Sequence, residues 1–136
     1  MPYVRDALKF ISTERSWKMG DRDPTPGWTQ GNVTLLGDAA HPTLQYLAQG
    51  ACMAMEDGVV LAAKMARRGE AAVNAVLHDY EAERYLRAAR VTLTSRFFGH
   101  VCHAGGGARD LRNHLAAQRG PENFFEVDWI YRGIEV

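Results

Sequence analysis

The stretch VTLLGDAAHPTLQYLAQGACMAMEDGVVLAA, from Val33 to Ala63, restricts the fold more than any other part of the chain. It opens on a continuous apolar run, Val33 to Leu36, and closes with the period of a helix. Continuous apolar character is the mark of a strand buried on both faces, as at the centre of a sheet. Such a strand has to pair its backbone N–H and C=O groups, because leaving them buried and unpaired is costly. Yet no other segment of the 136 residues reads clearly as its neighbour. The expectation is an α/β fragment, mostly helical, belonging to a larger protein.

The remaining segments have helical or loop character. Val4, Leu8 and Ile11 fall at helical spacing behind Pro2, so Met1 to Ser12 reads as a short amphipathic helix. Ser16 to Met19 is a brief extended piece. Gly20 to Gly31, with Asp21, Asp23, Pro24, Pro26 and Gly27, has breakers enough to allow only loop, and Trp28 is expected to pack it onto the body. A helix from Ala51 to about Gly69 is expected to bury Met55, Val59, Ala62 and Ala66, with Arg67 and Arg68 complementing the dipole at its end. A longer one, from about Asp79 to His103, has an apolar stripe of Ala82, Leu86, Ala89, Leu93 and Phe97, flanked by Glu81, Glu83, Arg84, Arg87 and Arg90. Gly105, Gly106 and Gly107 interrupt it. A short helix from Arg109 to Gln118 and an aromatic tail of Phe124, Phe125, Trp129 and Tyr131 complete the chain.

Composition narrows the function classes. Basic and acidic residues balance at 16 each, which disfavours nucleic acid or an anionic membrane as partner and leaves small ligands. No apolar run approaches the roughly twenty residues of a membrane span. Cys52 and Cys102 in a chain without a signal peptide predict a reduced, cytoplasmic protein with no structural disulfide. His100 and His103 share a helix face, but no carboxylate or thiolate completes a metal set, so they read as packing or surface residues.

The residues Gly37, Asp38, Ala39, Ala40, His41 and Pro42, then Gln49, Gly50 and Ala51, then Glu56 and Asp57, stand in order and at characteristic spacing. This pattern resembles the second flavin-contacting motif of the single-component FAD-dependent aromatic hydroxylases. The resemblance covers essentially the whole chain. It implies that residues 1–136 are the C-terminal portion of an FAD-binding monooxygenase domain, because neither the GxGxxG dinucleotide turn nor a sheet-rich substrate domain is recognisable here. It further implies NAD(P)H as reductant and 3-hydroxybenzoate or a similar phenolic acid as aromatic substrate, with the chain alone expected to bind little FAD and turn over nothing; the alternative reading is a non-catalytic fragment that acts as an assembly or binding module. Where many members have a proline and a glycine in the loop this chain has Gln45 and Ala48, and Cys52 replaces the usual asparagine.

The chemistry of the residues agrees with that implication. Asp38 at a strand end accepts hydrogen bonds at both carboxylate oxygens and suits flavin ribityl hydroxyls, or alternatively caps the turn. Gly50 and Ala51 open a helix whose amides and positive dipole end stabilise negative charge, as on the pyrimidine edge of reduced flavin. Gly37 and Gln49 belong to the flavin-contacting pattern, and the resemblance lays Pro42 to Leu47 along the flavin face, walling the place where oxygen is activated. Gln45 is the catalytic candidate: its amide either hydrogen-bonds the substrate's phenolic oxygen or the activated oxygen, or satisfies its own loop. His41 more readily orients the loop than acts as acid or base, and Glu56 and Asp57 are expected to serve the dipole of a first helical turn. A strand with open edges and helices with uncovered apolar faces predict a homo-oligomer.

Overall fold

The computed structural model describes residues 2–69, 72–120, 122–123 and 126–132; Met1, Phe124 and Phe125 of the analysis above lie outside them. Five helices are present among these residues: α1 (Pro2–Leu8), α2 (Gly50–Arg68), α3 (Val73–Cys102), α4 (Gly106–Ala117) and α5 (Asp128–Tyr131). Two short strands, β1 (Thr29–Gln30) and β2 (Val33–Thr34), form an antiparallel hairpin, and 3-10 turns occupy Gly37–Ala39 and Gln45–Leu47. The mostly helical expectation holds. The helix expected over Met1 to Ser12 stops at Leu8, Ser16 to Met19 forms no strand, and α3 begins six residues before Asp79.

The central strand is the main correction. Regular pairing ends at Thr34, Val33 is 68% exposed, and Leu35 and Leu36 are exposed as well. The strand does have a partner, in the segment read as pure loop. Gly31, at φ 59, takes the first position of a two-residue turn, where a hairpin favours glycine, and Gln30 pairs with Val33. The hydroxyls of Thr29 and Thr34 meet across the ladder at 2.9 Å, and Leu35 N–H donates to the carbonyl of Trp28.

This hairpin rests on α3, about 45 Å long at 1.5 Å per residue. Glu81 on α3 accepts the amides of Gly27 and Thr29, and the Thr29 hydroxyl donates to the carbonyl of Leu77. Nearer the end of α3, Arg96 holds Asp21 at 2.6 Å and Asp23 at 2.7 Å. The loop expected from its breakers is therefore anchored at both ends. Trp28, as expected, packs it down: the buried indole lies 5.3 Å from the His41 ring and 6.3 Å from that of Tyr80, in a core with Ala40, Val60 and Ala88.

Both expected helix stripes face the other way. α2 buries Met53, Asp57 and Val60, while Met55 is 64% exposed and Val59, Ala62 and Ala66 are exposed too. α3 buries Val76, Leu77, Tyr80, Arg84, Ala88, Val91, Thr92, Ser95 and Gly99, leaving Leu86 71% exposed with Ala82, Leu93 and Phe97 outward. The physical reason is that α2 and α3 have apolar residues on more than one face. Which face turns inward is decided by paired polar groups that a hydrophobicity pattern counts as surface. Met53→Ala is expected to cost about 2–5 kcal/mol, as large-to-small core changes do, and Met55→Ala in the same chain within about 0.5 kcal/mol. Denaturant midpoints check the difference.

Candidate functional site

The backbone after β2 turns sharply at Gly37. Leu36 is extended and Gly37 takes φ 54, a left-handed conformation open to glycine at little cost. A Cβ there would also stand 3.1 Å from that of Ala54 on α2, so helix and turn approach closely. The Gly37 carbonyl accepts the amides of Ala40 and His41, both at 2.9 Å. Its own N–H donates to Asp57 and is therefore directed into the protein. Asp38, the next residue, is exposed. Its carboxylate lies 3.9 Å from where a Cβ on Gly50 would stand, which places it beside the start of α2.

The loop between them is clamped onto α3. The Ser95 hydroxyl donates to the Leu44 carbonyl at 2.7 Å, and the Tyr46 ring fills the niche over Gly99, where a Cβ would fall 2.6 Å from the ring. Tyr46 also meets the His103 ring edge-on, and His103 Nδ1 lies 2.9 Å from the Gly99 carbonyl, which gives that histidine a packing role. Pro42 is half-buried, and Gln45 is exposed at the start of its 3-10 turn. That turn closes on Ala48 at φ 53, a conformation suited to the glycine many family members have there. Gln49 precedes α2 and bonds the Leu47 carbonyl, no side chain caps the helix, and Ala51 is exposed in its first turn.

Behind the turn lies a buried group of charges whose extent the sequence did not reveal. Asp57 is 0% exposed, yet both oxygens are used: Oδ1 accepts from Arg84 Nε at 2.8 Å, and Oδ2 from Gly37 N–H at 2.9 Å and His41 Nε2 at 2.6 Å. A carboxylate only accepts, so Nε2 of His41 carries the proton. His41 thus orients the loop, as expected. Arg84, 1% exposed, also donates to Glu56 at 2.7 Å and to the Met53 carbonyl. Arg87 forms a two-pronged pair with Glu56, both bonds 2.6 Å. Two carboxylates and two guanidiniums balance, which is how charge tolerates burial.

Reading Glu56 and Asp57 as servants of the helix dipole, and Arg84 as a solvated flank, is therefore corrected. Burial pushes both carboxyls up, but hydrogen bonds from Arg87 and Arg84 to Glu56, and from His41, Arg84 and Gly37 to Asp57, outweigh it and hold both below the ordinary range. Burial and the charge of Asp57 push the Tyr80 phenol well above its usual range, so its hydroxyl stays a donor to the Leu35 carbonyl.

Residues 5–95 match the FAD binding domain family. The chain belongs to this FAD-binding family of aromatic hydroxylases. It is 44% identical to 3-hydroxybenzoate 6-hydroxylase of Polaromonas naphthalenivorans, over 96% of this chain and 32% of that protein. It is 43% identical to 3-hydroxybenzoate 6-hydroxylase 2 of Aquipseudomonas alcaligenes, over 96% of this chain and 41% of that one. A variant of Klebsiella pneumoniae HpxO complexed with FAD superposes with a TM-score of 0.72 at 31% identity, over 87% of this chain and 30% of that one. The chain thus spans about a third of the length of the curated relatives it matches.

The turn suits a flavin on its own geometry. At Gly50 a Cβ would make only ordinary contact, 3.6 Å from Thr43 Cγ2, so the chain's own packing does not demand glycine there. α2 begins there without a side-chain cap on its first amides, beside the exposed carboxylate of Asp38. Those amides are acceptor-seeking and Asp38 is donor-seeking, the pair of features a ring edge and a polyol chain require.

Asp57→Asn leaves Arg84 with a weaker buried partner and is expected to cost about 3–5 kcal/mol, the penalty for breaking a buried pair. The pH dependence follows from the lowered carboxyls. Their stabilisation is complete above the unfolded values of 3.8 for Asp57 and 4.5 for Glu56, and is lost as pH falls through the lower folded values. Thermal melts should therefore be level from these values up to the ordinary range of a phenol, above which the raised Tyr80 costs stability, and should fall at acid pH, with a shallower fall in Asp57→Asn.

Proposed function

We propose that the chain is the flavin-contacting part of an NAD(P)H-using hydroxylase acting on 3-hydroxybenzoate or a similar phenolic acid, with a gentisate-type product. The observation that carries this reading is similarity over 96% of the chain to two proteins named 3-hydroxybenzoate 6-hydroxylase. FAD, reduced by NAD(P)H, supplies the chemistry of oxygen insertion. The residues of this chain bind and orient.

In this reading Asp38 accepts from the ribityl hydroxyls, and the amides of Gly50 and Ala51 meet the negative pyrimidine edge. Gly37 and Gln49 shape the two ends of the cradle, and Pro42 stiffens the loop between them. In the same reading Gln45 faces the aromatic substrate, which its exposed side chain at the start of the 3-10 turn supports. Its amide bonds the phenolic oxygen of the substrate and so influences which ring carbon is attacked.

A role in association has separate support. Leu86, Leu93 and Phe97 on α3, with Leu111 and Leu115 on α4, are exposed apolar side chains, and surfaces of that kind favour contact between copies or with further protein.

Gln45→Ala in the flavin-loaded protein tests the catalytic reading. FAD binding should be unchanged, and substrate-dependent hydroxylation should slow roughly ten- to a hundred-fold, the worth of one hydrogen bond to a charging oxygen. Product formation measured beside NAD(P)H oxidation separates hydroxylation from wasted reduction. Unchanged rate and coupling would remove Gln45 from the site, and an intact enzyme containing this chain that turns over no phenolic acid would remove the substrate class.

A further inference from the structure

We propose that Glu56 is a positioning residue that couples the segment at Trp129–Ile130 to the Gly37–Asp38 turn, and through it to FAD; this rests on the flavin reading of that turn. Among the described residues Glu56 is the one carboxylate shared by Arg84 and Arg87, and each arginine leads to a different place. On one side Arg84 Nε bonds Asp57 Oδ1 at 2.8 Å, and Asp57 Oδ2 accepts the Gly37 amide at 2.9 Å. On the other, Arg87 Nη1 and Nη2 donate to the carbonyls of Trp129 and Ile130 at 3.3 and 3.2 Å. The Trp129 ring lies 4.0 Å from the guanidinium carbon of Arg90, and its Nε1–H donates to the Glu126 carbonyl.

Neutralising Asp57 does not require this arrangement, because Arg84 alone supplies the opposite charge. What Glu56 adds is a second arginine whose remaining N–H groups reach backbone carbonyls of α5 and its C-terminal end. The carboxylate–guanidinium bonds are short, 2.6 to 2.8 Å, while those from Arg87 to the carbonyls are 3.3 and 3.2 Å. Charge-assisted bonds are the stronger kind, so the carbonyl links are where the network yields first. When they yield, Arg87 swings toward water, Glu56 redistributes between the two arginines, and Arg84 shifts its hold on Asp57. The orientation of the Gly37 amide, and of Asp38 beside it, then depends on whether the distant segment is docked. Hydrogen-bonded groups in one network couple in this way.

The experiment is a double-variant cycle on FAD affinity in the holoprotein, with Arg87→Met, Glu56→Gln and the pair, read by flavin fluorescence quenching and by visible circular dichroism of the bound flavin. Neither residue touches the proposed flavin cradle. Arg87→Met is expected to weaken FAD binding about threefold to thirtyfold, the range seen for coupling networks. Glu56→Gln should do likewise, and the double variant should bind no more weakly than Glu56→Gln alone. Trp129→Ala leaves every charged bond in place and should shift affinity and dichroism in the same direction, a readout that survives if Arg87→Met folds poorly. Effects that multiply in the double variant, or affinities within twofold of wild type with unchanged dichroism, overturn the coupling while leaving the flavin reading intact. An intact wild-type enzyme containing this chain that binds no FAD overturns both.

Discussion

The ion pair between Asp57 and Arg84 is the contact on which the rest of the arrangement depends. It joins α2 to α3 across a region with almost no exposed surface, and it does so with charges rather than methyl groups. A buried carboxylate is tolerable only when its charge is paired and its oxygens are hydrogen-bonded, and Asp57 meets that condition at both oxygens with a guanidinium, an imidazole and a backbone amide. Each partner comes from a different segment. The ion pair thereby sets the angle of the Gly37 turn, the position of the His41 loop and the packing of the two long helices at once. Hydrophobic contacts around Trp28, Val60 and Tyr80 add area, but they do not choose this geometry over its neighbours.

The loop from Pro42 to Gln49 shows the same division of labour. Its outward surface is built from exposed or half-buried groups, while its grip comes from behind, through Ser95 and Gly99 of α3. Ala48 adopts the left-handed conformation although it lacks the freedom of glycine, a local cost that the clamp sustains. Strain held by a rigid backing helix is a physical route to a loop that presents Gln45 and Pro42 in one arrangement.

The motif around Gly37, Asp38, Gly50 and Ala51 was legible because its requirements are local: a positive φ, a close approach and a helix start within a few residues of one another. The helices were legible in kind, though not in which face they bury. Periodicity reports that α2 and α3 are amphipathic on some face, but Asp57 and Arg84 are 27 residues apart, and no pattern of hydrophobicity announces that two charges will be buried together. The hairpin carried a readable signal in Gly31 and Asn32 between two threonines, masked by the breakers before it. The adjacent acids Glu56 and Asp57 facing Arg84 and Arg87, one helical turn apart, are the corresponding clue for the charge cluster. Its meaning depends on how the helices pack.

Amide hydrogen exchange at Gly37 is the most direct test of this account. A glycine in a turn near an open loop exchanges quickly unless its N–H is held, and here the holder is a buried carboxylate linked to two helices. The Gly37 amide is expected to open only with the α2–α3 core, at protection comparable to Val60 and Ala88, and Asp57→Asn to lower the protection of Gly37 further than that of Val60 and Ala88. Exchange of Gly37 at the rate of an unprotected loop amide, with Val60 and Ala88 still protected, would contradict it.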